Sequence, residues 1–308
     1  MWCLKDKKML VIFCLLLVGI TCRAQYHPQY SQYMFNGLAL NPAYAGSQEA
    51  LNVAVLHRSS QWGKSMENAP VTQTISGDFC LRNPQLAFGL LIFNDKIGPF
   101  GQTGTYFAYA FRVKASEGKL SFGLQAGFDL HHENHINHIL IDPKEDPLFT
   151  KRLPNSFMPN AGVGAYYYTS KFFAGLSLPQ ILTYSWNNGN TPKGKPNPSN
   201  IMLYGGKVFR SGKDLKIKPS TLLQNAGNVF LVDLNCNFSL LEERFELGVS
   251  WRSSSTLVAM AQFRFNMICL GYACDYPIGK PNVMNTSHEI MLRYDFKIKI
   301  KAESPLYL

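Results

Sequence analysis

The chain has 308 residues and a formal net charge of +10, yet only 16% of its residues are charged while 13% are aromatic, an unusual balance for a water-soluble domain. Its first 24 residues hold Lys5, Lys7, Lys8 and Arg23 against Asp6, which leaves +7 for the remainder. A soluble nucleic-acid binder can be that basic, but charged side chains are too scarce here for the charge to be primary. Helical membrane spans are excluded, because no run of about 18 apolar residues follows residue 24.

Met1 to Lys8 is a basic n-region and Met9 to Ile20 an apolar h-region. The run is too short to cross a bilayer as a helix, which takes roughly 20 apolar residues. Cys22-Arg23-Ala24 resembles a small-x-small cleavage site, so residues 1–24 read as a signal peptide cut after Ala24. Lipid attachment at Cys22 is disfavoured, because Gly19-Ile20-Thr21 lacks the usual leucine and small-residue pattern. Residues 25–50 form a periplasmic or plug-like segment dense in aromatics: Q-Y-S-Q-Y-M-F-N at Gln29–Asn36, then L-A-L-N-P-A-Y-A-G-S at Leu38–Ser47. Asn-Pro and Ala-Gly are turn signals. Tyr30, Tyr33, Phe35 and Tyr44 either pack in a barrel mouth or dock on a partner.

From Leu51 onward the dominant signal is alternation with a period of two, which puts successive side chains on opposite faces of a strand. Fourteen strands are expected: Leu51–Arg58, Val71–Cys80, Leu86–Asn94, Gln102–Arg112, Lys119–Leu130, Asn160–Tyr168, Phe172–Pro179, Ile201–Phe209, Leu215–Gln224, Val229–Leu240, Phe245–Arg252, Thr256–Phe265, Met267–Tyr276 and His288–Ile300. Between Phe230 and Leu240 one face is Phe230, Val232, Leu234, Cys236, Phe238, Leu240 and the other Leu231, Asp233, Asn235, Asn237, Ser239. Loop lengths sort by parity. The even connections are brief, as at Leu81–Gln85, Val113–Gly118, Leu241–Arg244 and Asn266, and the long ones are all odd: Ser59–Pro70, Asp95–Gly101, His131–Pro159, Gln180–Asn200 and Pro277–Ser287. A soluble sandwich has no reason to sort its loops; transmembrane barrels have short periplasmic turns and longer outer loops. The fold expected for residues 51–301 is an all-β, transmembrane antiparallel β-barrel of about 14 strands, outer-membrane type, with a C-terminal tail at 302–308. Cys80, Cys236, Cys269 and Cys274 are too scattered for a disulfide framework and read as packing residues.

No chemistry emerges from the motifs. His131, His132, His135 and His138 lack the H-E-x-x-H spacing of a zinc site and read as a solvated outer loop. Asp142, Glu145 and Asp146 lack EF-hand spacing, and no G-x-S-x-G occurs. Catalytic, cofactor and metal residues are therefore none, and no enzyme is expected. Asn94-Asp95-Lys96-Ile97-Gly98-Pro99 reads as a tight outer turn, with contact to a partner as the alternative. Pro192–Pro198 reads as a stiff, solvated loop.

Several motifs occur in an order that resembles the PorP/SprF family. They are Asn-Pro-Ala-Tyr-Ala-Gly at Asn41–Gly46, His57-Arg58, Gln61-Trp62, Ala69-Pro70-Val71-Thr72-Gln73, N-D-K-I-G-P-F-G-Q-T-G at Asn94–Gly104, and the stretches Leu120–Gly127, Pro159–Thr169 and Phe172–Gln180. The chain departs from the pattern in an extra serine between Arg58 and Gln61 and in Gly-Lys-Ser-Met-Glu-Asn after Trp62. The resemblance implies an outer-membrane component of the type IX secretion system of Bacteroidota, supporting secretion or surface attachment of a cognate adhesin, including gliding adhesins. Implied partners are the C-terminal sorting domain of that adhesin, periplasmic ring or peptidoglycan-linked secretion components, and outer-membrane lipid, with no nucleic acid. Candidate family-motif or partner-contact residues are Tyr33, Phe35, Asn41, Pro42, Tyr44, Gly46, Arg58, Trp62, Asn94, Asp95, Gly98 and Pro99. The alternative is a passive channel or small-solute transporter, for which Asp233, Asn235, Asn237, Glu246 and Arg252 suit a wet pore.

Overall fold

A strand that alternates apolar and polar residues has one face for hydrocarbon and one for water, and a row of such strands is stable in a membrane only when its edges meet. The computed structural model describes residues 28–60, 69–81, 83–133, 155–186, 192–196, 200–212, 214–226, 229–278 and 286–296. In chain order they form strands β1 (Leu51–Ser60), β2 (Val71–Cys80), β3 (Leu86–Ile97), β4 (Phe100–Ala115), β5 (Gly118–Glu133), β6 (Ser156–Tyr168), β7 (Phe172–Leu178), β8 (Leu182–Trp186) and β9 (Pro192–Pro196). They continue with β10 (Asn200–Lys207), β11 (Phe209–Ser211), β12 (Leu215–Ala226), β13 (Val229–Leu240), β14 (Phe245–Arg252), β15 (Thr256–Phe265), β16 (Ile268–Pro277) and β17 (Ser287–Phe296).

Each barrel strand pairs antiparallel with its neighbours, and β10 bridges β7 to β12. The ring is closed by β1 on β17, from Leu51↔Phe296 to Ser60↔Ser287. The result is a closed 14-strand antiparallel barrel, with the expected strand count. Four expected strands, Val71–Cys80, Val229–Leu240, Phe245–Arg252 and Thr256–Phe265, match the observed limits. By contrast β4 and β5 run to 16 residues each. Their ladder continues from Ala115↔Gly118 to Phe100↔Glu133, past the point where alternation stops, because backbone pairing needs no apolar face.

Two differences lie near the long connection at 180–200. Pro192–Pro196, expected as loop, pairs with β8 in a separate two-stranded sheet. The prolines that hid the strand stand at its two ends, where sheets tolerate them. The expected strand Ile201–Phe209 is interrupted at Val208, which is buried, so that β11 continues alone against β12. Residues 1–24, Trp62, Asp142, Glu145, Asp146, His135, His138 and the tail 302–308 lie outside the described residues. Among the described residues Cys80, Cys236, Cys269 and Cys274 are free thiols.

The faces sort as the alternation requires. On β13 and β14 the outward residues Phe230, Leu234, Leu247 and Val249 are exposed, Phe230 to 61%, while inward Asp233, Asn235, Ser250 and Arg252 are buried, Arg252 to 1%. The short turns at one end hold the left-handed residues Ser116, Gly212, Leu241, Glu242, Glu243 and Asn266, as tight hairpins demand. That end, where β1 begins and β17 ends, is the periplasmic one. Leu234→Arg, which places a cation against hydrocarbon midway along β13, is expected to destabilise the barrel by about 2–4 kcal/mol, measured by reversible unfolding in phospholipid vesicles.

Candidate functional site

The inward polar side chains are buried because the lumen is occupied by residues 28–50. Three one-turn 3-10 helices carry this segment: η1 (Tyr33–Phe35), η2 (Gly37–Ala39) and η3 (Pro42–Tyr44). Asn41 caps η3 by accepting the Ala43 N–H at 2.9 Å, and Pro42 starts it, a position where the missing N–H costs nothing.

The uppermost contacts form an ionic clasp. Both carboxylate oxygens of Glu289, on β17, accept successive backbone N–H groups, from Ser31 and from Gln32, each at 2.8 Å. Ser31 Oγ donates to Asp275 at 2.5 Å and accepts from Arg58 at 2.5 Å, while Arg58 also pairs with Asp275 at 2.8 Å and Glu289 at 3.5 Å. Arg252 extends the cluster to Asp275 at 3.2 Å, to Asp233 at 3.0 Å and to the Tyr30 carbonyl at 3.4 Å. Paired charges and backbone dipoles offset the cost of desolvating these groups; removal of one partner strands the others.

Lower down, Arg293 donates to the Phe35 carbonyl at 3.1 Å and Ser76 to the Asn36 amide oxygen at 3.0 Å. Asn235 donates to the Tyr33 hydroxyl, and Asn237 points at Met34 Sδ. Asn41 reaches the carbonyls of Ala165 at 2.9 Å and Leu176 at 3.3 Å, and Ser177 holds the Leu40 carbonyl at 2.6 Å. Tyr44 stacks in a tilted arrangement on Tyr166, whose ring is also 5.9 Å from Tyr204. At the base Asp78 accepts the Gly46 N–H at 2.7 Å and Arg112 donates to the Gly46 carbonyl, while Lys119 pairs with Glu49.

Fit is as close as the polar bonding. A Cβ on Gly123 would strike Pro42 and Ala43, and one on Gly164 would strike the Asn41 side chain. Three gaps beside the segment hold roughly 10, 20 and 50 Å³, space for a few waters at most.

Of the candidate residues, Tyr33, Phe35, Asn41, Pro42, Tyr44 and Gly46 are all inside the lumen, and Arg58 belongs to the clasp. Asn94, Asp95, Gly98 and Pro99 lie apart, at the β3–β4 hairpin. Asp95 is buried and accepts from Thr72 at 2.5 Å; Asn94 accepts from Thr103 at 3.0 Å; Gly98 makes the turn with φ 57°. Sequence reasoning missed Glu289, Asp275, Asp78, Arg112 and Arg293. Its five pore-lining residues are instead tied up: Asp233 with Arg252, Asn235 and Asn237 with the segment, Glu246 with Lys218 at 3.0 Å. One signal did point to a filled lumen: glycine and alanine recur on the polar face, at Ala87, Ala110, Gly123, Gly164 and Ala273, where an open pore has no need of small side chains. Among the described residues no cluster of histidine, cysteine or acidic residues could hold a metal ion.

The family model for the type IX secretion system membrane protein PorP/SprF matches residues 22–294. The chain belongs to the PorP/SprF family. That match takes in the luminal segment together with the barrel, so the PorP/SprF unit includes both, and it places the protein in the outer membrane among secretion-associated barrels. No curated protein sequence matches the chain significantly. Among solved structures it is similar to a TodX monoaromatic hydrocarbon channel carrying two deletions, at 9% identity and TM-score 0.48 over 88% of this chain and 95% of that one. It is also similar to Omp33 of Acinetobacter baumannii, at 9% identity and TM-score 0.46 over 81% and 100%. At these values neither bears on what this barrel does.

Glu289→Gln removes the charge from the clasp and replaces one acceptor by a donor. It is expected to loosen the Ser31 and Gln32 amides by about 1.5–3 kcal/mol, read as faster amide hydrogen exchange there. Gly123→Leu is expected to expel η3, exposing residues 28–50 to protease while the barrel itself survives.

Proposed function

We propose that this PorP/SprF protein is a non-enzymatic component of type IX secretion that supports secretion or surface attachment of one cognate adhesin, including adhesins of the gliding type. The observation that carries the reading is the family match over residues 22–294, which spans barrel and luminal segment alike. The occupied lumen supports a role for the barrel as a membrane-anchored docking component and not as a conduit. Its partners are then the adhesin's C-terminal sorting domain at one end and periplasmic ring or peptidoglycan-linked components at the other. Residues 1–24 serve as the Sec signal peptide, so that sequencing the membrane-extracted protein should begin at Gln25.

Deletion of the gene is expected to abolish surface display of a single adhesin, scored by antibody labelling of whole cells, with general membrane permeability unchanged. Normal display of every adhesin would sink the proposal. A second measurement addresses the passive-channel alternative, against which the luminal position of residues 28–50 speaks. In planar bilayers the intact protein is expected to show no steady conductance, whereas in-frame removal of Gln29–Ser47 should open a large, lasting one. Steady conductance of the intact protein would favour the channel.

A further inference from the structure

A lipid-facing strand position in the periplasmic half of the barrel meets hydrocarbon or the inner edge of the headgroup layer, where a charge is costly. Among the described residues these positions carry one charge, Lys207, the last residue of β10. It shares the outward face with Ile201 and Leu203, both exposed, while Met202 and Tyr204 beside them are buried. Its register partner is Phe172, the first residue of β7. It therefore stands at the periplasmic rim, where a lysine stem lies along apolar surface and its ammonium reaches the phosphate level. The Lys207 Nζ is 5.0 Å from the centre of the Phe209 ring, within the range of cation–π attraction.

A second cation is built in beside it. The Thr169–Lys171 turn is fixed by Thr169 Oγ1, which accepts the backbone N–H groups of Lys171 at 3.1 Å and Phe172 at 2.9 Å. The Lys171 carbonyl accepts the N–H of Val208 at 2.8 Å, and that bond ties the turn to the residue after Lys207. Both lysines are exposed, and among the described residues neither has a carboxylate partner. Apolar rings flank them: Phe172 is exposed to 42% and Phe209 to 48%, and the Tyr167 ring lies 6.3 Å from that of Phe172. The rim also steps here. Strand β7 begins at Phe172, whereas the wall beside it runs on through β11 to Ser211, paired with β12. The two lysines and two phenylalanines line the corner of that step.

We propose that this corner binds the headgroup of an anionic phospholipid of the inner leaflet, with the phosphate between Lys171 and Lys207 and the acyl chains along the outward faces of β7 and β10. Charge complementarity selects the anion. Continuity with the lipid-facing belt, through exposed Leu176 and Leu203, selects a lipid over a soluble phosphate. A zwitterionic headgroup brings its own cation into the same corner and gains less. The barrel then holds lipid at one sector of its rim, beside the β6–β7 turn, and its surroundings in the membrane plane are not uniform. This holds whether or not an adhesin is the client.

Native mass spectrometry of the mature protein extracted from outer membranes tests the site, with phosphatidylglycerol and phosphatidylcholine of identical acyl chains as probes. The wild type is expected to bind phosphatidylglycerol roughly 25-fold more tightly, about fivefold from each lysine. Lys207→Gln and Lys171→Gln should each weaken phosphatidylglycerol binding about fivefold and leave phosphatidylcholine unchanged, while Lys207→Arg keeps the preference. Lys114→Gln, which removes another exposed charge at the periplasmic end of β4, should change nothing. Heat-modifiable migration on gels checks that each variant is a folded barrel. Equal affinity for the two lipids overturns the proposal. So does a loss from Lys114→Gln as large as that from Lys207→Gln, since overall charge alone would then attract the lipid. Displacement of the lipid by free glycerol phosphate would make the corner a soluble-anion site and overturn it as well.

Discussion

Hydrocarbon offers no partner to a backbone N–H or C=O, and the pairing of β1 with β17 removes the last edge that would present such groups to lipid. Everything else in this molecule follows from that closure. A ring of fourteen strands has a circumference larger than its own inward side chains can fill, unlike the eight-stranded barrels whose interiors do. The outward residues are settled by lipid, but the inward ones have two solutions, water or protein. This chain supplies protein, in the form of its own residues 28–50.

The polar inner face then takes on a second meaning. Alternation demands only that inward residues tolerate a polar setting, and a wet pore satisfies that demand as well as a packed segment does. What distinguishes the two is specificity of bonding. Glu289 does not merely face the lumen; it meets two consecutive amides that no 3-10 turn has satisfied. Asp78 and Arg112 take the amide and carbonyl of the same glycine. Because these partners are backbone groups, the recognition depends on the path of the segment more than on its side chains. The small inward residues Gly123 and Gly164 leave that path its room.

The proposed docking role draws on the same geometry. A barrel whose lumen holds packed aromatics and paired charges retains two surfaces for other molecules, its ends, and these are where its loops and turns lie. The β3–β4 hairpin, with Gly98 at its turn and Phe100 exposed to 56% beside it, is one such outer surface.

The period-two pattern by itself determined the fold class, the number of strands, which face of each meets lipid, and through loop length which end faces the periplasm. These properties are local, written in neighbours along the chain, and so Val229–Leu240 or Thr256–Phe265 could be delimited without coordinates. Family membership was legible too, in motif order. Only the tertiary structure decided what occupies the lumen. Ser31 and Glu289 are 258 residues apart, and no periodicity connects them: their meeting depends on β1 and β17 closing the ring, which brings the two ends of the chain to one level. The prolines of Pro192–Pro196 hid a strand for the converse reason, that its partner and not its own composition made it one.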